Sequence, residues 1–459
     1  MLRANENRVV VIGGNDAGLS AAGRIKRTRP DLEVLVLEAT PHLSYASCGL
    51  PLYISGRLRG SDISSQSAEE IEKSRGFRVK TRNIVHDIDT VHRRVLSTDS
   101  ADGRESDLKY SRLIMATGAS PVIPDPLPVD ADNLFCMRNF EHAQRLDHYI
   151  TRQGARRALV VGAGPLGLEM SDALVSRGLG VILIERSKLD ICGFSEPITA
   201  LIKKALIKRG IDFRPGCEIE GLQRHETRIS GVSLKPGSVS VPVDLVFAAA
   251  GIRPRTELAE KAGIPLGRSG AIAVNRRQMS GRLDVYAAGD CAESFHAILG
   301  RPEWFPFAGL ASKAGRIAGS NAAGRNATSA GALGSMMIKA FGLEIGRTGL
   351  TLAQARANKI DAIETTITQH ARAVYAEGNS PVTITLISER RHGRLLGAQI
   401  CGQRDAGIRL NLLAMALSAK MRPGELASVD MGYAPEIVHM WDPVQIAGRA
   451  AEKENVRSR

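Results

Sequence analysis

The stretch Ala158-Leu159-Val160-Val161-Gly162-Ala163-Gly164-Pro165-Leu166-Gly167-Leu168-Glu169 decides the fold. An apolar run of strand length stops at a glycine, and the glycine turn leads into a helix. The spacing Gly-x-Gly-x-x-Gly has mechanical content. Gly162 makes the tight turn, Gly164 lets the backbone come close to a pyrophosphate, and Gly167 lets the helix lie close on the strand. The unpaired N–H groups of the helix start then face the phosphates. Val181-Ile182-Leu183-Ile184-Glu185 supplies the second strand and ends on an acid that accepts ribose hydroxyls. The unit is a βαβ dinucleotide site. Glu185 suits the free 2′-hydroxyl of NADH and repels the extra phosphate of NADPH, with Arg186 as a partial offset, so NADH is expected to be preferred over NADPH.

Working outward, a second copy stands near the N-terminus. Arg8-Val9-Val10-Val11-Ile12 reads as a buried parallel strand, Gly13-Gly14-Asn15-Asp16-Ala17-Gly18 as the turn into a helix, and Glu33-Val34-Leu35-Val36-Leu37-Glu38 as the second strand with its terminal acid. Here Gly13 takes the sharp turn, Gly18 allows close helix packing, and Glu38 takes the ribose. The third fingerprint position is Asn15, a residue that tolerates unusual backbone angles. Two such units imply two dinucleotides. Asp284-Val285-Tyr286-Ala287-Ala288-Gly289-Asp290 places a carboxylate at a strand end, where it suits a polyol such as a flavin's ribityl chain. Leu113-Ile114-Met115-Ala116-Thr117-Gly118 supplies a further strand and turn. Ten residues after Glu38 lies Cys48, in Ser44-Tyr45-Ala46-Ser47-Cys48-Gly49-Leu50-Pro51-Leu52-Tyr53, where a thiol can be laid against a flavin.

With these motifs the chain resembles the flavoprotein disulfide reductases (pyridine nucleotide-disulfide oxidoreductases). Within them it is most similar to the single-cysteine branch of coenzyme A disulfide reductases, NADH oxidases, NADH peroxidases and persulfide reductases. The resemblance spans nearly the whole chain, adding the Thr117-Gly118 segment, Gly251-Ile252-Arg253-Pro254, Tyr433-Ala434-Pro435 and Trp441-Asp442-Pro443. It implies an α/β fold: two Rossmann-like dinucleotide-binding domains, for FAD and NAD(P)H, plus a C-terminal α+β dimerisation domain. The FAD-binding domain is expected at residues 1–122 and 250–329, the NAD(P)H-binding domain at 123–249 and the interface domain at 330–459. FAD would be held through Gly13, Gly18, Glu38, Thr117, Gly118 and Asp290, and the nicotinamide nucleotide through Gly162, Gly164, Gly167 and Glu185.

The resemblance also implies roles for the acceptor site. Cys48 is the redox-active thiol at a helix start beside the flavin, where the helix terminus favours the thiolate. Five residues on stands Tyr53 in place of a second cysteine, so the cycle uses a mixed disulfide, a persulfide or a sulfenic acid. Asp16 occupies the position where oxygen- and peroxide-reducing members carry a histidine. Together with Pro51 this favours a low-molecular-weight disulfide, coenzyme A disulfide or a persulfide, while Ser47 points toward the peroxidases. Arg24, Arg27, Ser44, Ser47, Arg75 and Trp441 fall near substrate positions. Tyr433 matches a tyrosine that reaches the partner's thiol across a homodimer and donates a proton. After it, Glu436-Ile437-Val438-His439 departs from the family's run. Tyr375 stands where a second tyrosine would, with a strand residue at the interface as its alternative. Two other readings stay open: an NADH oxidase or peroxidase cycling a Cys48 sulfenate, and a flavin electron-transfer protein with no small substrate.

Composition agrees with a large enzyme: 459 residues, 43% of them hydrophobic, provide material for several cores. No apolar stretch is long enough for a bilayer and the first strand begins near residue 8, so a cytoplasmic protein without a membrane partner is expected. The net charge of +13 is spread along the chain, aromatic residues are 4%, and no nucleic-acid motif accompanies them, so no nucleic-acid partner is expected. A basic surface draws phosphate-rich small molecules instead. Cys48, Cys136, Cys192, Cys217, Cys291 and Cys401 lack paired spacing, which argues against a disulfide framework and against a metal site. Val382 to Ile387 and Leu395 to Ile400 read as a hairpin, and Asp405 to Ala419 as a helix.

Overall fold

The computed structural model describes residues 7–63, 66–188 and 191–457. The chain forms two compact units. The first holds the residues up to Val122, Met137–Gln144 and Ile252–Ala332, and the second holds Ile123–Cys136, Arg145–Gly251 and the residues from Leu333 onward.

In the first unit, five parallel strands lie in the order Val285–Ala287, Arg112–Met115, Arg8–Ile12, Glu33–Leu37 and Arg78–Lys80. Their apolar runs are buried on both faces, as a sheet with helices on one side and further chain on the other requires. The helix Asp16–Thr28 follows the first strand and lies against the helix Ala308–Ala322. That contact depends on small residues: a Cβ on Gly315 would stand 2.1 Å from the Ala17 carbonyl oxygen, and one on Gly319 2.4 Å from that of Ala21. An antiparallel sheet of Asn83–Asp89, Arg94–Asp99 and Glu105–Lys109 completes this unit's larger elements.

The second unit repeats the architecture. Its parallel sheet runs Asp212–Pro215, Gly180–Glu185, Arg157–Val161, Leu245–Ala248 and Leu134–Phe135. The helix Pro165–Ser176 takes the place of Asp16–Thr28. A second, antiparallel sheet is built from Met336–Ala340, Leu343–Gly349, Leu395–Gly402, Pro381–Glu389 and Ala362–His370. The hairpin read from the sequence is its pair Pro381–Glu389 and Leu395–Gly402, and the helix read there spans Ala406–Ser418. Polar ties join the two sheets' surroundings within this unit. The Ser195 N–H donates to Gln399 Oε1 at 2.7 Å, the Ser195 and Thr385 hydroxyls are 3.0 Å apart, and the Phe341 N–H donates to Asp172 Oδ2 at 3.1 Å. No helix among the described residues is long and apolar enough to cross a membrane.

Candidate active site

Both glycine turns are built alike. Gly13 and Gly162 have φ of 110° and 104°, a region open to glycine, and a Cβ on either would run into a backbone carbonyl at Ala116 or Ala249. A Cβ on Gly18 or Gly167 would lie 1.9 Å from the carbonyl oxygen of its own turn's first glycine, so only glycine lets the helix come down on the strand. The acid at the end of each second strand reaches back to its turn. Glu38 Oε2 accepts from the Gly14 N–H at 2.7 Å while Oε1 accepts from the Thr40 N–H and hydroxyl, both at 2.8 Å. Glu185 accepts from the Ala163 N–H at 2.8 Å and the Ser187 N–H at 2.9 Å. The middle position is less restrictive. Gly164 has φ −68° and Asn15 has φ −112°, so neither needs glycine for backbone reasons, and the tolerance of asparagine for unusual angles is not what admits Asn15.

A cavity of about 150 Å³ opens beside the first turn. It brings together Ser47, Cys48, Gly118 and Asp290 from the sequence-predicted set and adds Tyr45 and Arg138. Cys48 is exposed to it, in a short 3-10 turn, Ser47–Gly49, that runs directly into the helix Leu50–Ile54 with Pro51 in its first turn. The segment is braced through Tyr53, whose ring meets Phe140 edge-on at 5.5 Å, and Phe140 in turn meets His42 at 5.2 Å. Asp290 follows the strand Val285–Ala287. Its Oδ2 takes a 2.5 Å ion pair from Arg138, and its Oδ1 is buried with no hydrogen-bond partner. A buried, orphaned acceptor costs about 1–3 kcal/mol unless a donor arrives, and a polyol hydroxyl is such a donor. The glycine cradle, the free helix start and this orphaned oxygen fit an FAD. Asp16 opens the helix beside this pair, and burial, followed by the nearby Asp290 charge, raises its carboxyl above the ordinary range while Arg138 pulls the other way.

Other predicted residues stand apart from the cavity lining. Thr117 donates its hydroxyl to the Arg255 carbonyl at 2.7 Å and so fixes the turn whose neighbours, Ala116 and Gly118, line the cavity. Arg24 is held through Nε by the Ser320 hydroxyl at 2.8 Å, and Arg75 by Gln66 at 2.8 Å. Arg27 is exposed on the same helix as Arg24, and Ser44 takes a left-handed φ of 48°. In the second unit Tyr433 and Tyr375 are neighbours. Partial burial, then the Tyr375 hydroxyl, raises the Tyr433 phenol above its ordinary value. Tyr375 lies beyond the end of the strand Ala362–His370 and is 80% exposed, so it is a loop residue and not a strand residue. Trp441 is also exposed and carries the Arg449 guanidinium over its ring at 5.0 Å.

The sequence reading passed over two groups. Arg138 fixes Asp290 from 152 residues away, which no local pattern signals. Glu169, inside the stretch that decides the fold, is pushed up to about 7 by burial, against the opposing hydrogen bond from the Lys339 backbone.

Comparison with known proteins agrees with this geometry. The family described as "Pyridine nucleotide-disulphide oxidoreductase" matches residues 7–315, and its dimerisation domain matches residues 335–443. The chain belongs to the pyridine nucleotide-disulphide oxidoreductase family. An NADH oxidase of Methanocaldococcus jannaschii is 32% identical over 449 residues, covering 97% of this chain and 99% of that one. An NAD(P)H coenzyme A polysulfide/persulfide reductase of Pyrococcus horikoshii is 32% identical over 448 residues, covering 97% and 98%. Among solved structures, an NAD-dependent persulfide reductase from A. fulgidus superposes with a TM-score of 0.94 at 29% identity, over 98% of this chain and 84% of that one. As a pyridine nucleotide-disulphide oxidoreductase, the chain has the expected fold class, a core for FAD and NAD(P)H with a separate C-terminal dimerisation domain. It is an NAD(P)H-dependent flavoprotein oxidoreductase that acts on a small thiol or disulfide species, related to the coenzyme A-disulfide and persulfide reductase branch.

Proposed function

We propose that this enzyme reduces a low-molecular-weight disulfide, coenzyme A disulfide or a coenzyme A persulfide, through Cys48 as its single redox-active thiol. The observation that carries the reading is the placement of Cys48, exposed at the wall of the cavity that Asp290 and the first glycine turn define. Three of the five other cysteines fit the task poorly: burial raises Cys136 and Cys291, and pushes Cys401 up to about 12. An FAD held by Gly13, Gly18, Glu38, Gly118 and Asp290 supplies the two-electron relay from NAD(P)H.

The chain's own residues do the rest. The Cys48 thiolate attacks one sulfur of the acceptor, forming a mixed disulfide and releasing the other half, a thiol from a disulfide or hydrosulfide from a persulfide. Two electrons and a proton then break that bond, freeing the second thiol and restoring the thiolate. Ser47 borders the entering group, with Arg24, Arg27, Ser44, Arg75 and Trp441 as the further substrate residues and Arg24 and Arg27 as cations for its phosphates. Tyr433, beside Tyr375, gives the proton to the departing thiolate of a partner chain in a homodimer. Glu185, at the end of its strand, favours NADH. The domains are assigned as 1–122 with 250–329, 123–249, and 330–459. The oxidase relatives keep a Cys48 sulfenate as the second reading, and Asp16, a carboxylic acid in place of a neutral-pH base, weighs against it.

Cys48→Ser tests the proposal. The variant should bind FAD and bleach it with NADH in stopped flow, yet lose turnover with coenzyme A disulfide or persulfide by at least about a thousandfold. Substantial disulfide turnover in this variant would overturn the thiol mechanism.

A further inference from the structure

Asn15 occupies the N-cap of a 13-residue helix, where an asparagine ordinarily accepts a hydrogen bond from the second or third N–H of the helix. It makes no such bond. Its Oδ1 is instead buried with no partner, and the residue lines the same cavity as Asp290, whose Oδ1 is the other orphaned acceptor there. The Asn15 side chain is hydrogen-bonded to the hydroxyl of Tyr45, three residues before Cys48. The equivalent position of the second turn is Gly164, where an added Cβ would meet nothing closer than 3.9 Å, so a side chain at this position is tolerated by the turn itself. Asn15 thus forgoes a cap and leaves an acceptor buried, two costs that an apoprotein gains nothing from.

We propose that Asn15 is a direct cofactor-binding residue, its Oδ1 accepting a hydroxyl hydrogen of the flavin dinucleotide. The forgone cap has a second effect. The N–H groups of the helix start stay open toward the cavity, so the polar side chain and the bare helix terminus serve one ligand together. Tyr45 acts as the positioning residue, since its hydroxyl holds the Asn15 amide beside the cavity. The inference rests on FAD occupying the first turn and adds a contact that the glycine fingerprint does not contain.

The test follows flavin release from the purified holoenzyme on dilution, by the rise of flavin fluorescence. Asn15→Ala should release FAD about tenfold faster than the wild type, the effect of one lost hydrogen bond. Asn15→Gly, which recreates the fingerprint of the second turn and which that turn shows to be foldable, should also release it about tenfold faster. Tyr45→Phe should give a smaller acceleration, and combining it with Asn15→Ala should add little, because the tyrosine acts through the amide. Release from Asn15→Ala or Asn15→Gly within about twofold of wild type, or slower, would overturn the proposal. A wild type that carries no FAD would instead refute the cofactor assignment on which it rests.

Discussion

Glu169 shows how a single side chain couples the second unit to pH. Its carboxyl is raised from 4.5 to about 7, with burial as the main cause. A carboxyl whose folded pKa is raised favours the folded state below its unfolded value, and that advantage is lost as pH rises through about 7. At alkaline pH the folded protein therefore carries a cost of up to about 3 kcal/mol. Glu169→Gln should raise the hydrogen-exchange protection of the helix Pro165–Ser176 by on the order of 1–3 kcal/mol at pH 8, shrinking toward zero near pH 4.5. A gain independent of pH would show that the charge is not responsible. The residue stands in plain view in the sequence, but its burial, and the hydrogen bond it takes from the Lys339 backbone 170 positions further on, come only with the fold.

At the scale of elements, the glycine turns and their acids were legible because their physics is local. A positive φ at Gly13 and Gly162, a closed approach at Gly18 and Gly167, and a carboxylate at the end of the next strand all fall within a window of some 30 residues. The C-terminal hairpin and helix were legible for the same reason. Arg138 and the pairing of Tyr375 with Tyr433 were not, since each depends on chain segments brought together by tertiary packing. In the structure Glu185 holds its own turn through Ala163 and Ser187. The proposed ribose contact would give the same carboxylate a second duty. Wild-type enzyme should show a higher kcat/KM with NADH than with NADPH, and Glu185→Ala should lower activity with NADH while narrowing the ratio by about tenfold, or about 1.4 kcal/mol. Equal loss with both nucleotides would leave only the structural duty.

For the whole molecule, the second unit presents an apolar face that a single chain leaves in water. Ile408, Leu412 and Met415 lie along one side of the helix Ala406–Ser418, and Ile437 and Met440 are likewise exposed near Tyr433. A second copy of the chain is the occupant that a dimerisation domain calls for. If Tyr433 serves the partner's Cys48, hybrids assembled from Cys48→Ser and Tyr433→Phe chains hold one site with both groups intact, and neither parent does. Co-expressed hybrids should recover about half the wild-type turnover per dimer. No recovery would place Tyr433 within its own chain's site or outside the chemistry.

The polar ties of the second unit also set an order of events during synthesis. Every segment of the flavin unit has been made once Ala332 leaves the ribosome, so that unit can close and take up its cofactor on a growing chain. The second unit is completed later: Ser195 bonds Gln399 and Thr385, Asp172 bonds Phe341, and these partners are made only after residue 340. A chain interrupted after Ala332 should therefore carry flavin yet fail to bleach it with NADH, an outcome that the absorbance of the truncated protein would check.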